Sequence, residues 1–549
     1  MSGGSDLPVE VLCSIFRHMS FEYSPPFGDQ GWLHSAAHVC RKWRGAAIGL
    51  SEFWAENICA LRPDAATDAF LERARSAPLV FRARSHDRNM HFTKHQLALA
   101  EMHLVRIRHF EQPGPSSSSF IPLPASFVNA LDRTIMSQLS ILHLQRWDTA
   151  GDRSFMINFS LIAPVLLELY LDSVFFAVDA PLLRVLEVTN QDPRYRQSLT
   201  AAPTSEILGI LKRTPLLEEL KLEGMGAFEE VGESDTEVAA SHVELPQLRK
   251  LRLEDDENNY GLYRLVHAAP SANIDIEEGM CDAGVELFAT VFIAMERHLR
   301  APTYDTLVVF EEQDDGGTHV NVRLRSSTGS LGEKLKGRDP EFKLDVFMAE
   351  RTSSRDIIDA LVPHINIDSI RFLDIGEIST DEYEHVEVDE VREIFVPFVN
   401  VSTVMLNIEA ERRHVLALRR EDTEEAKEDG SEDEDSDDEG EDGEERGGFP
   451  LPALRHLIIQ DLTGELTRSV GELKEGWTVV LAILKERKRA GCPIRYLTLS
   501  EREKYASMDG DLAAIKEVDQ GYIRRAESFV EKVFDSRGLN DDDRGDIVT

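Results

Sequence analysis

One eight-residue pattern recurs along this 549-residue chain, and few architectures can carry it. A proline is followed at fixed offsets by leucine, leucine and an aliphatic residue, as Pro-x-Leu-x-x-Leu-x-(aliphatic). It occurs at Pro164–Leu171, Pro181–Val188, Pro215–Leu222, Pro246–Leu253 and Pro452–Ile459. Weaker forms follow Pro270, as Asn273-Ile-Asp-Ile276, and Pro493, as Ile494-Arg-Tyr-Leu-Thr-Leu499. Proline presets the backbone for entry into a turn. The residues five and seven positions after it fall on one face of an extended strand. One such unit cannot bury that face alone, so copies must stack on one another. The first prolines are 17, 34, 31 and 24 residues apart, which predicts an irregular array.

The Leu-x-x-Leu-x-Leu core resembles a leucine-rich repeat, which implies an α/β solenoid. In that arrangement the residues between the leucines line the concave side. Here they are Glu168 and Tyr170, Val185 and Glu187, Glu219 and Lys221, Lys250 and Arg252, then His456 and Ile458. They run from acidic to basic, and a partner with a matching gradient would complement them. The alternative is a plain solvated sheet face. Between about 280 and 420 the pattern fades. Gly284 to Arg300 reads as a helix, Thr306 to Phe310 and Val320 to Leu324 as a hairpin, and Ile367 to Ile375 and Val401 to Ile408 as strands. These are either degenerate repeats or a small α/β insertion.

The N-terminal sixty residues follow a helical period instead. Val11, Leu12, Ile15, Phe16 and Met19 share one helix face. Pro8 suits a first helical turn and Glu10 complements the helix dipole. Ser24-Pro-Pro-Phe-Gly28 ends that helix, and a second pattern runs from Trp32 to Leu50. Leu7-Pro-Val-Glu-Val-Leu-Cys-Ser-Ile-Phe16, Val39-Cys-Arg-Lys-Trp-Arg44 and Phe53-Trp54 together resemble an F-box, over about residues 5–60. That family docks on the Skp adaptor of cullin-based (SCF) ubiquitin ligases. The resemblance implies that Leu7, Pro8, Ile15, Phe16, Val39, Cys40, Trp43 and Trp54 form the module's core or its adaptor face, with Leu7 and Pro8 at the contact. A long connection from Ser20 to Gly31 departs from the usual pattern. An F-box followed by a Pro-Leu repeat body resembles the large F-box families of mushroom-forming fungi.

The resemblances imply a substrate receptor. The F-box would hold the adaptor, and through it a cullin, while the repeat surface would hold an unknown protein target. Two other readings stay open: an interaction protein that binds the adaptor without serving degradation, and an acidic chaperone for basic proteins such as histones. The second rests on Glu421 to Arg446, where 17 acidic residues face two basic ones. That stretch is expected to be a disordered loop. Within it Ser431 and Ser436 each precede acidic runs and resemble sites for acidophilic kinases.

A net charge of −39 argues against nucleic acid. The five cysteines are scattered without C-x-x-C, which argues against a disulfide framework and a zinc site. No secretory signal or membrane-length apolar run is evident, so an intracellular protein, cytoplasmic or nuclear, is expected. Phosphate-loop, nucleophile-elbow and zincin motifs are absent. His91 and His95 lack an acidic third ligand, and His34, His38 and Cys40 are explained by packing. No enzyme activity and no cofactor are expected.

The expected organisation is therefore α/β. A helical module spans 1–60, a linker helix and first strand region 61–125, and repeats 126–280. The undecided region spans 281–420, the acidic loop 421–448, and final repeats with capping helices 449–549.

Overall fold

The proline of each repeat sits at the second position of a reverse turn, the place its fixed backbone angle suits best. The amide two residues after it donates to the carbonyl just before it. Leu166 bonds Ala163 at 3.1 Å, Leu183 bonds Ala180 at 3.0 Å, Leu217 bonds Thr214 at 3.2 Å, Leu248 bonds Leu245 at 3.1 Å, and Leu454 bonds Leu451 at 3.0 Å. The same turn forms without proline where Ile370 bonds Ile367 and Val401 bonds Phe398. The computed structural model describes residues 7–22, 39–61, 63–82, 92–112, 123–132, 134–145, 156–190, 204–225, 242–255, 262, 265–281, 285–314, 317–326, 341–348, 354–375, 388–407, 412–420, 448–460, 470–500 and 512–536.

Two compact units divide the chain, Met1–Ala272 and Asn273–Thr549. In the first, each turn feeds a short strand. Leu79–Arg82, Ile107–Glu111, Ile141–Gln145, Glu168–Asp172, Val185–Thr189, Glu219–Glu223 and Lys250–Asp255 pair side by side, all parallel. The pairing is in register, so equivalent residues stack across the sheet. One stack is Phe110, Leu142, Leu169, Leu186, Leu220 and Leu251, all buried. Burying each such side chain contributes about 1.5–3 kcal/mol. A slip of one residue would turn the whole row to solvent. Parallel neighbours need long crossovers. Helices such as Lys94–Met102, capped reciprocally by Thr93 and Gln96, and Thr204–Arg213 supply them. Short parallel pairs also occur in the crossovers, between Met156–Ile162 and Phe175–Asp179 and between Val243–Leu245 and Val266–Ala268.

The second unit mixes directions. Asn273–Cys281 pairs parallel with Glu341–Met348, which pairs antiparallel with Gly317–Arg325, itself antiparallel to Thr306–Asp314. From there Phe372–Ile375, Thr403–Asn407, His456–Gln460, Tyr496–Ser500 and Lys532–Asp535 follow in parallel. Within residues 281–420 an antiparallel meander stands among strands that pair in parallel. One repeat there escaped the pattern. Pro302 precedes Leu307 and Val309 at the usual offsets, and Tyr304 takes the first leucine's place, bonding Ala301 at 3.4 Å.

Two expectations are corrected. Ile367 to Ile375 is a strand only over Phe372–Ile375, because Ile367–Ser369 form a 3-10 turn. The end of the chain, expected as capping helices, is not helical throughout. Leu512–Ala526 runs unbroken through Gly521, and Lys532–Asp535 is a strand that adds to the sheet.

The helix Val470–Arg489 carries a fully buried arginine. Arg487 donates to the carbonyls of Pro450 at 3.1 Å and Leu451 at 2.7 Å, and its guanidinium lies 5.0 Å from the Phe449 ring. Arg487→Met keeps most of the bulk but removes the guanidinium's bonds to both carbonyls, the Leu451 carbonyl keeping only the Leu454 amide. We expect it to cost about 2–4 kcal/mol, read as a lower urea midpoint.

Candidate functional site

Two surfaces stand out. The first is the N-terminal helical module. Helices Val9–Glu22, Arg41–Gly49 and Ser51–Glu56 close around Phe16, whose ring meets Trp43 at 5.5 Å and Phe53 at 5.9 Å. Trp54 is turned inward, 4% exposed. It packs on Phe70 of the helix Asp64–Ala74 at 5.0 Å, lies 4.5 Å from the Arg73 guanidinium, and donates its indole N–H to the Ala47 carbonyl at 2.8 Å. Phe16 and Trp54 therefore serve the core and have no surface to offer. The physical reason lies outside the motif: Phe70 belongs to the next helix. Arg108 of the second strand bonds Glu56 at 2.6 Å and ties the module to the sheet.

Part of what remains outside is apolar. Val9, Val11, Val39 and Ile48 are 41–56% exposed, Pro8 is exposed, and Leu7, Ile15, Cys40 and Trp43 are half-buried. Residues 23–38, with His34 and His38, lie outside the described residues, as do His91, Ser431, Ser436 and the acidic stretch. His95 is held by Asp68 at 2.7 Å. Among the described residues no cluster could hold a metal ion, and no helix is long and apolar enough to cross a membrane.

The second surface is the sheet face between the leucines. In the first unit the register sets Arg82, Glu111, His143, Tyr170, Glu187, Lys221 and Arg252 in one row across the strands. Glu168, Val185, Glu219 and Lys250 form the row beside it. The basic end is less bare than the order of residues suggested. Lys221 reaches Glu187 at 3.1 Å and Glu223 at 2.8 Å, and Arg252 reaches Glu254 at 3.0 Å. Alternate residues of one strand share a face, so each cation meets its own strand's glutamate. Burial disfavours the Lys221 charge, but those two carboxylates win and raise its pKa.

In the second unit the face changes character. Ile458 is fully buried, contrary to its expected place on an open face. Its in-register neighbours are Met405 and Thr498, and Thr498 is buried too. His456 bonds Thr498 at 2.8 Å and lies edge-on to Tyr496, and burial lowers its pKa, which favours the uncharged ring. The expected gradient does not extend to this pair.

A cavity of about 360 Å³ opens on the first unit's face, around Tyr170. Its walls include His109, Glu111 and His143, which the repeat pattern did not single out. They lie on strands without the proline. One signal was present: Leu139-Ser-Ile-Leu142-His-Leu144 is the leucine core alone. Burial works against the Glu111 charge. The hydrogen bond from His109 and the Arg82 guanidinium outweigh it and hold the carboxyl down at about 2. A depressed folded pKa contributes stability above the ordinary value of 4.5 and loses it as pH falls toward 2. We therefore expect Glu111→Gln to melt at lower temperature than the natural chain at pH 6, with the gap closing between pH 4.5 and 2.

Residues 5–58 match the family model described as F-box-like. No curated protein matches the chain.

Proposed function

We propose that this chain, which carries an F-box-like domain at residues 5–58, is the substrate-recognition subunit of an SCF-type ubiquitin ligase. F-box domains generally bind Skp-type adaptors, which gives the exposed aliphatic residues Val9, Val11, Val39 and Ile48 an occupant. The F-box-like match over residues 5–58 is the observation that carries the reading, and those exposed side chains on a module closed around Phe16 support it. We read the remainder as a leucine-rich-repeat-like body, supported by the shared turn at successive prolines and by the in-register leucine rows. The sheet face would hold the target protein. Such a receptor makes and breaks no bonds. It raises the effective concentration of a target lysine near the charged conjugating enzyme and orients it.

Affinity purification of the tagged full-length chain, with and without proteasome inhibition, tests this. Adaptor and cullin together are the expected recovery, with target proteins accumulating under inhibition. Adaptor without cullin would favour a non-degradative interaction protein. Absence of both would remove the ligase reading.

A further inference from the structure

The residues just before successive repeat strands form a further row, and the two units fill it differently. In the first unit Arg184, Glu218 and Arg249 follow one another, the amide of each donating to the carbonyl of the one before at 2.7 Å. Glu218 stands between the arginines and pairs with both, at 2.7 and 3.4 Å. In the second unit the same ladder links Arg371, Ser402, Arg455, Arg495 and Glu531, at 2.7–2.9 Å, with Asp305 beside Arg371 at the other end. A serine takes the glutamate's place. Among the described residues no carboxylate pairs with Arg371 or Arg455. Their guanidinium groups reach only carbonyls of their own turns: Arg371 those of Asp368 at 2.6 Å and Ile370 at 3.1 Å, Arg455 that of Leu454 at 3.0 Å. Arg495 meets Glu531 at 3.5 Å, with both side chains more than half exposed. A guanidinium carries five N–H donors, so most of these stay uncommitted. In a chain with 99 acidic residues against 60 lysines and arginines, composition does not account for cations left so poorly matched.

A second observation is the row alongside. Phe372, Thr403, His456, Tyr496 and Lys532 pair in register across the same five strands. Tyr496 is 37% exposed, and Phe372 and His456 are half-buried. The Tyr496 ring lies 5.9 Å from His456 and 6.2 Å from Phe534, over which the Lys532 ammonium sits at 4.1 Å. A cationic row and an aromatic row thus run side by side. Successive side chains of an extended segment point to opposite sides, so one that alternates carboxylates with apolar groups matches both rows. Arginine pairs with carboxylate through two parallel bonds, which favours it over a lone cation for this purpose. The chain's own acidic stretch from Glu421 to Arg446 fits the arginine row alone, because Ala426 is its one apolar side chain.

We propose that this face of the second unit binds an extended segment of the target protein in which Asp or Glu alternates with apolar residues. Its carboxylates bond Arg371, Arg455 and Arg495, and its apolar side chains cover Phe372, His456 and Tyr496. The proposal rests on the reading of the sheet face as the target-binding surface and gives the target segment its chemistry.

Fluorescence anisotropy on the full-length chain tests it, with labelled Glu-Leu-Glu-Phe-Glu-Leu-Glu as probe. One control peptide replaces each Glu by Gln, and the other replaces Leu and Phe by Gly. Each control should bind about tenfold more weakly than the probe, and probe binding should weaken as salt is raised. Arg455→Gln combined with Arg495→Gln, checked for an unchanged melting temperature, should weaken the probe by a similar factor, and Arg184→Gln in the first unit should not. Equal binding of the probe and either control, or undiminished binding by the double variant, would overturn the proposal. So would no binding at millimolar probe, the result if the chain's own acidic stretch fills the row. If the double variant unfolds, Arg371→Gln and the three peptides on the natural chain still decide. Adaptor recovery is scored separately. A chain that recovers adaptor and cullin but ignores the probe loses only this assignment. A chain that binds the probe but recovers no adaptor loses only the ligase reading.

Discussion

Leu7→Ala combined with Pro8→Ala should abolish adaptor recovery while leaving the rest of the chain folded. The two residues stand at the mouth of the first helix, Leu7 half-buried and Pro8 exposed. The Pro8 carbonyl accepts the Leu12 amide at 3.2 Å, a bond that alanine at position 8 preserves. The helix start therefore survives, and the expected stability loss is about 1 kcal/mol at most. The binding loss is larger. Anchor residues at the centre of an interface each cost about 2 kcal/mol or more, so losing two weakens the complex a thousandfold, on the order of 4 kcal/mol. Pull-down of the tagged variant, beside a thermal melt, reads both quantities. Recovery of adaptor at the natural level would sink the docking assignment.

Trp54→Ala should give the opposite pattern, a fold defect first and a binding defect as its consequence. Its ring lies between Phe53, at 5.2 Å, and Phe70, at 5.0 Å, and its N–H satisfies the Ala47 carbonyl. Truncating a buried aromatic of this size costs about 3–5 kcal/mol. The damage should be local, because Trp54 joins the short helices to Asp64–Ala74 and takes no part in the leucine rows. Hydrogen exchange should therefore rise over residues 41–58 and stay unchanged in the strands from Glu168 onward. Uniform loss of protection through both units would show that the module and the sheet unfold as one.

The contrast between these variants marks where sequence reasoning stops. Leu7, Pro8, Phe16 and Trp54 enter the same motif, and the motif does not say which face inward. Phe16 and Trp54 are core because Phe53 and Phe70 meet them, and Phe70 comes from a helix that the motif does not include. The cavity shows the same limit. Tyr170 and Glu187 were legible as members of one face, since a strand alternates by a period of two. His109, Glu111 and His143 were not, because their strands lack the proline that made the others recognisable.

What the chain's residues settle alone is local and periodic. Proline followed by leucine at fixed offsets dictates a turn, a short strand and the side on which the leucines lie. The helical period before residue 20 and its proline start dictate the first helix. Neighbouring backbone atoms and the 2.0 and 3.6 periods are sufficient for both, and neither needs a distant partner. What only the tertiary structure decided depends on which strands meet. It set Lys221 between Glu187 and Glu223, buried Ile458 beside Thr498, and inserted an antiparallel meander where the repeats fade. Those outcomes turn on contacts between residues tens of positions apart, whose energies depend on register and on what else lies within a few ångströms.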